Sequence, residues 1–185
     1  NNQKISLTVK RKGQSKVEVL AVTPLRHSNL TRYRDWVNHN KELVSKLSKG
    51  KVGYLHVPDM GIHGYSEFYR NFLSECTKEG LIVDVRYNGG GHVSQHLLKI
   101  LAQKTVGFDK TRYMDIEPYP AYAINGPIVA LTNEHAGSDG DIFSHSFKLM
   151  NIGPLIGKRT WGGVVGIWPR HPLNDGTITS QPEFS

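Results

Sequence analysis

The stretch Asn133-Glu134-His135-Ala136-Gly137-Ser138-Asp139-Gly140-Asp141 has the residue types and spacing best able to do chemistry. Ahead of it runs Pro127-Ile128-Val129-Ala130-Leu131-Thr132, apolar and β-branched, which predicts a buried strand. Behind it, Ile142 to Met150 carries apolar residues at helical spacing. A strand that turns at a glycine into a helix, with serine at the corner, holds a hydroxyl clear of the sheet. The amides that start such a helix point to where an oxyanion would form. The same serine also meets a plainer need, because Ser and Asp are preferred helix N-caps. Ser138 therefore has two readings, nucleophile and cap.

A second strand–turn–helix unit comes earlier in the chain. Gly80-Leu81-Ile82-Val83-Asp84-Val85-Arg86 predicts a strand buried on both faces, and a helix follows through Val93, Leu97, Leu98 and Leu101. Between them lies Tyr87-Asn88-Gly89-Gly90-Gly91-His92. Three consecutive glycines let backbone amides face a ligand without Cβ interference. The turn lacks the Lys-Ser/Thr pair of a phosphate loop and the G-x-G-x-x-G spacing of a dinucleotide site, which leaves an oxyanion hole as its chemical use. Two such units in succession predict an α/β fold with parallel neighbouring strands, right-handed crossovers and both turns on one edge of the sheet.

The remaining elements have to position these turns. Residues 4–9 and 16–22 predict a two-stranded ribbon around Lys12-Gly13-Gln14, and 24–28 a linker. A helix starts at Asn29 or Thr31 and ends at Gly50, with Tyr33, Trp36, Val37, Leu43, Val44 and Leu47 on one packing face. A short strand follows from Lys51, then a helix over 64–78 with Phe68, Tyr69, Phe72 and Leu73 inward. Residues 106–122 predict a surface loop or irregular strand, and the end of the chain strand pieces around Asn174-Asp175-Gly176.

Composition narrows the class. The 185 residues suffice for one domain with a sizeable core, and no apolar run approaches eighteen residues. The single cysteine, Cys76, excludes an internal disulfide. Net charge is +7, but Lys10-Arg11-Lys12 and the group Lys46, Lys49 and Lys51 are not interleaved with aromatics, so no nucleic acid is expected. No H-E-x-x-H or paired-cysteine spacing is present, and neither a metal nor a cofactor is expected. Without an initial Met or an evident terminal element, the chain reads as part of a longer protein.

Taken in order, Asp84-Val85-Arg86-Tyr87-Asn88-Gly89-Gly90-Gly91, Ala136-Gly137-Ser138-Asp139-Gly140-Asp141 and Ile156-Gly157-Lys158-Arg159-Thr160-Trp161-Gly162-Gly163 resemble the C-terminal processing protease superfamily of serine peptidases, most of all its tricorn branch. The resemblance covers roughly residues 31–185. It implies a crotonase/ClpP-like β-β-α core over 26–185, truncated at its C-terminus, preceded at 1–25 by the tail of a PDZ-like domain. It implies Ser138 as nucleophile, the amides of Gly91 and Asp139 as oxyanion hole, and Asp109 as a desolvated carboxylate accepting a basic substrate side chain. It further implies peptide substrates, a homo-oligomer and a cytoplasmic setting, with no membrane involved.

One departure bears on mechanism. Many processing proteases carry a lysine base in a segment resembling Thr-Phe-Gly-Lys-Gly, but here Gly163 stands at that position, with Lys158 five residues earlier. This favours the tricorn-type solution, a histidine base and a supporting glutamate, both outside these residues. His92, His135 and His145 are weaker internal candidates. Two other readings remain: a non-catalytic peptide- or ligand-binding module on the same fold, and a crotonase-type activity on acyl-CoA.

Overall fold

The computed structural model describes residues 3–184, which divide into two compact units, one running to His39 and the other starting at Asn40. In the first, strands β1 (Ile5–Lys10) and β2 (Val17–Val22) pair antiparallel, Ile5 opposite Val22 and Lys10 opposite Val17. Helix α1 (Asn29–Ser48) follows the linker.

The second unit is built on four parallel strands in the spatial order β3 (Val52–His56), β4 (Gly80–Asp84), β7 (Ile128–Thr132) and β8 (Leu155–Gly157). Helix α2 (Ile62–Glu75) connects β3 to β4, α3 (Ser94–Leu101) lies between β4 and β7, and α4 (Asp139–Leu149) connects β7 to β8. Between α3 and β7 the chain makes a short antiparallel ribbon, β5 (Gly107–Asp109) with β6 (Glu117–Tyr119). It closes with a second ribbon, β9 (Gly166–Pro172) with β10 (Ile178–Phe184). Parallel neighbours need crossovers, and helices supply all three, as the alternation of the sequence predicts.

The core forms where the helices meet the sheet. Leu55, Leu81, Val83 and Ala130 from the strands, with Val57 and Val85 just past them, pack in one core with Phe68, Phe72, Leu97, Leu101, Phe143 and Phe147 from the helices. Helix α2 turns Gly64, Phe68, Phe72 and Glu75 inward, a set at i, i+4, i+8 and i+11. Leu73, expected in that set, is half exposed, because one residue past Phe72 is a rotation of about 100° off the buried stripe. Leu43 and Leu47 of α1 are also exposed, contrary to the packing face expected for them. Val37 is the buried residue of that helix.

A polar knot closes the carboxyl ends of β3 and β4. Asp84, fully buried, accepts from the Tyr54 hydroxyl at 2.7 Å and from Arg86 Nε and Nη2 at 2.9 and 2.6 Å. Burial first, and then the Asp84 charge, drives the Tyr54 phenol far above its usual range, so it stays a donor. His56 lies beside them, 2% exposed, its Nε2 2.8 Å from the Arg86 carbonyl. A carbonyl can only accept, so Nε2–H is the donor, and burial pulls the His56 pKa below 6.5.

The sign of the linkage follows. The unfolded chain takes up a proton at His56 below pH 6.5 and the folded chain resists it, so stability falls as pH drops through that value. Gln at position 56 keeps a donor for the Arg86 carbonyl and removes the titration. Between pH 7.5 and 5.5 the unfolding free energy of the parent is expected to fall by up to about 1.4 kcal/mol per pH unit. His56→Gln should flatten that slope in denaturant titrations; equal slopes would show that His56 protonates freely in the fold.

Candidate active site

The candidate site lies at the carboxyl ends of β3, β4 and β7. Past β7, the buried Asn133 accepts through Oδ1 from the amides of Tyr87 at 2.9 Å and His135 at 3.2 Å, tying the two turns together. The chain then reaches Ser138 at φ 54°, ψ −120°. This lies outside the left-handed helical well, and a non-glycine residue held in such a region costs about 1–3 kcal/mol. Ser138 occupies the N-cap position of α4, yet its side chain makes no capping hydrogen bond. The hydroxyl is therefore not in use as a helix cap.

The triple-glycine turn is folded against this corner. Asn88 is fully buried: its Nδ2 donates to the Val57 carbonyl at 2.8 Å, its Oδ1 accepts from Gly90 N–H at 2.9 Å, and its carbonyl accepts from Gly137 N–H at 3.1 Å. Gly90 sits so close to Ser138 that a Cβ on it would stand 2.7 Å from the serine Cβ. Gly91 bridges Met60 in parallel, with Met60 N–H donating to the Gly90 carbonyl at 2.7 Å and His92 N–H to the Met60 carbonyl at 2.8 Å.

Most amides around the corner are spent inside the protein. Those of Gly89, Gly90, His92, Gly137, Gly140 and Asp141 all have acceptors. Among the described residues the amides of Gly91, Ser138 and Asp139 and the Ser138 hydroxyl have none. The Asp139 carboxylate is used differently, accepting from Ser94 N–H at 3.0 Å and from Ser94 Oγ–H at 2.5 Å. It thereby joins the start of α4 to the start of α3.

The internal histidines are not hydrogen-bonded to Ser138. His92 and His145 are exposed, and His135 stacks on Tyr87 with ring centroids 5.3 Å apart and planes at 12°. Lys158 pairs on the surface with Glu134 at 2.8 Å. Asp109 differs most from expectation, being exposed on β5 rather than desolvated. Its neighbour Phe108 lines a cleft of about 340 Å³ with Cys76, Thr77 and Lys78, just ahead of β4, and with Ala123 and Asn125, just ahead of β7. That is the amino end of the sheet, and five residues of strand, about 16 Å, separate it from the Ser138 end. Burial of a loop carboxylate is set by distant parts of the chain, which local sequence does not report.

Four further residues shape the corner without having been singled out by sequence: Asn88, Ser94, Asn133 and Asp141. Asp141 is 6% exposed, one oxygen accepting from Gly162 N–H at 2.8 Å and the other unpartnered among the described residues. Turn composition alone marks Asn88 and Asn133 as turn formers, and only their pairing across two strands reveals them as ties. Among the described residues no three His, Cys, Asp or Glu are grouped to hold a metal, and no helix is long and apolar enough to cross a membrane.

Parallel α/β proteins with a serine held at positive φ between strand and helix form a recognisable class, and this chain is one of them. Residues 51–185 match the family model described as Peptidase family S41, and the chain belongs to that family. It is 52% identical over 184 residues to the Tricorn protease of Thermoplasma volcanium, covering 100% of this chain and 18% of that protein. To the Tricorn protease homolog of Saccharolobus solfataricus it is 52% identical over 166 residues, covering 90% of this chain and 16% of the relative. A crystal structure of the tricorn protease superposes with a TM-score of 0.89 at 49% identity, over 99% of this chain and 18% of that one. The chain thus spans under a fifth of the length of these relatives.

Proposed function

We propose that the chain carries the nucleophilic half of a tricorn-like serine peptidase, with Ser138 attacking the scissile carbonyl of an oligopeptide. The observation that carries this reading is the pair of unspent amides, Gly91 and Asp139, beside a serine whose hydroxyl is equally unspent. Attack forms a bond from Oγ to the carbonyl carbon and turns the carbonyl oxygen into an oxyanion that these two amides receive. Each such donor is worth roughly 10²–10³ in rate. Collapse expels the amine and leaves an acyl-enzyme at Ser138, which water then hydrolyses. The serine proton passes to a histidine supplied from outside these residues, supported by a glutamate, since Gly163 stands where a lysine base would be and His92, His135 and His145 make no hydrogen bond to Ser138.

In this reading residues 1–25 are the tail of a PDZ-like domain, and 26–185 a crotonase/ClpP-like core truncated at its C-terminus. The enzyme works on peptides in the cytoplasm as a homo-oligomer. Asp109 keeps its role toward a basic substrate residue only if a second copy of the chain delivers it, because within one chain it stands at the other end of the sheet from Ser138.

Intact-mass labelling with a fluorophosphonate tests the proposal. A single adduct mapped to Ser138 is expected in the full-length protein, and none in the isolated 185 residues with their circular dichroism intact. No adduct in the full-length protein would sink the peptidase reading in favour of a binding module. An adduct on the isolated residues would mean an internal base.

A further inference from the structure

Trp161 is two-thirds exposed, at 67%, yet its backbone is tied to the serine turn. Its backbone N–H donates to the Ala136 carbonyl at 2.9 Å. The benzo edge of its indole lies on two glycines. A Cβ at Gly137 would stand 2.9 Å from Cε3, and one at Gly163 would stand 2.2 Å from Cζ3 and 2.5 Å from Cη2. The next residue, Gly162, is held by the buried Asp141 carboxylate at 2.8 Å, and Lys158 ties the start of the same loop to Glu134. Three separate attachments thus fasten this loop to the serine turn.

Exposure alone does not set Trp161 apart, since Ile62, Val106 and Tyr113 are more exposed still; its place against the residue before Ser138 does. Here glycines at 137 and 163 admit the ring edge while its remaining surface faces outward, and Gly137 is the residue immediately before Ser138. A rigid aromatic surface loses little conformational entropy on binding, which is why tryptophan recurs at recognition hot spots.

We infer that the exposed face of Trp161 is a specificity-determining wall for a large apolar or aromatic side chain flanking the scissile bond, and that Asp141 is the positioning residue that holds it there. The inference rests on the peptidase reading above. Truncating the ring removes the wall; removing the Asp141 carboxylate releases the Gly162 amide and lets the wall drift.

The experiment uses the full-length protein and two peptide sets, one with Phe or Leu and one with Gly or Ala at the positions on each side of the cleaved bond. Trp161→Ala is expected to lower kcat/KM for the Phe and Leu peptides on the order of 10–100-fold and for the Gly and Ala peptides less than about threefold. Trp161→Phe should recover most of the loss; Asp141→Ala should reproduce the selectivity of Trp161→Ala, and Asp141→Asn, which keeps an acceptor for the Gly162 amide, should not. A uniform fall across both sets would assign Trp161 a structural role and overturn the inference.

Calorimetric binding of the same peptides to a Ser138→Ala protein separates the two proposals, since it needs no turnover. If Phe peptides bind Trp161→Ala as tightly as its parent in that background, the wall is refuted whatever Ser138 does. If they bind at least about tenfold more weakly while the active-serine protein neither labels nor cleaves, the wall stands and the peptidase reading fails.

Discussion

Alanine at Gly90 is expected to lower peptide hydrolysis by the full-length protein about 10²–10³-fold. Two independent constraints meet at this position. Its φ of +81° lies where an L side chain is strained, and its Cβ would stand 2.7 Å from the Ser138 Cβ and 3.0 Å from the Gly137 carbonyl. Neither neighbour is the loose end of a flexible side chain, so the serine itself has to move. A shift of a few tenths of an ångström separates Oγ from the position the Gly91 and Asp139 amides serve, and catalysis is steeply sensitive to such misplacement. Fluorophosphonate labelling should slow in parallel. Gly89→Ala is the internal control, since nothing lies within 4 Å of its Cβ, and it should behave nearly as the parent. Equal kcat/KM for Gly90→Ala and the parent would refute the apposition of the two turns.

Asn88→Ala is expected to cost about 3–5 kcal/mol of folding stability, a large share of the 5–15 kcal/mol typical of a domain. Its side chain satisfies the Val57 carbonyl and the Gly90 amide, both on buried residues, and truncation leaves both unpaired. Each orphaned buried group costs roughly 1–3 kcal/mol. Asn88→Asp keeps the acceptor for Gly90 but sets a buried carboxylate against the Val57 carbonyl, and should be no more stable. Denaturant midpoints at pH 7.5 measure both. A loss below about 1 kcal/mol for the alanine variant would mean that water replaces the side chain freely.

Legibility from sequence followed the range of the forces involved. Strands β4 and β7 were readable because apolar, β-branched runs give way to polar turns that contain glycine, and burial of such runs is a local consequence of composition. Ser138 was readable as a corner residue, though not its dihedral angles, which depend on Gly90 and Asn88 being folded against it from another strand. The outward turn of Leu43, Leu47 and Leu73 was not readable, because periodicity marks an apolar stripe without saying how much of it a neighbour covers. Trp161 was visible as part of a motif, but its exposure beside Ser138 became evident only once Gly137, Gly163 and Asp141 were seen around it.

The Asp139–Ser94 tie has a consequence for what leaves the site. The N-termini of α3 and α4 converge there, and converging helix starts make an attractive resting place for anions. Hydrolysis of a peptide creates one, a fresh carboxylate, at the spot where the oxyanion stood. The buried Asp139 side chain already supplies the negative charge that the two helix starts would otherwise recruit. Any free carboxylate arriving there meets a charge of its own sign. Under the peptidase reading, that built-in charge is expected to keep free anions from settling at the start of α4.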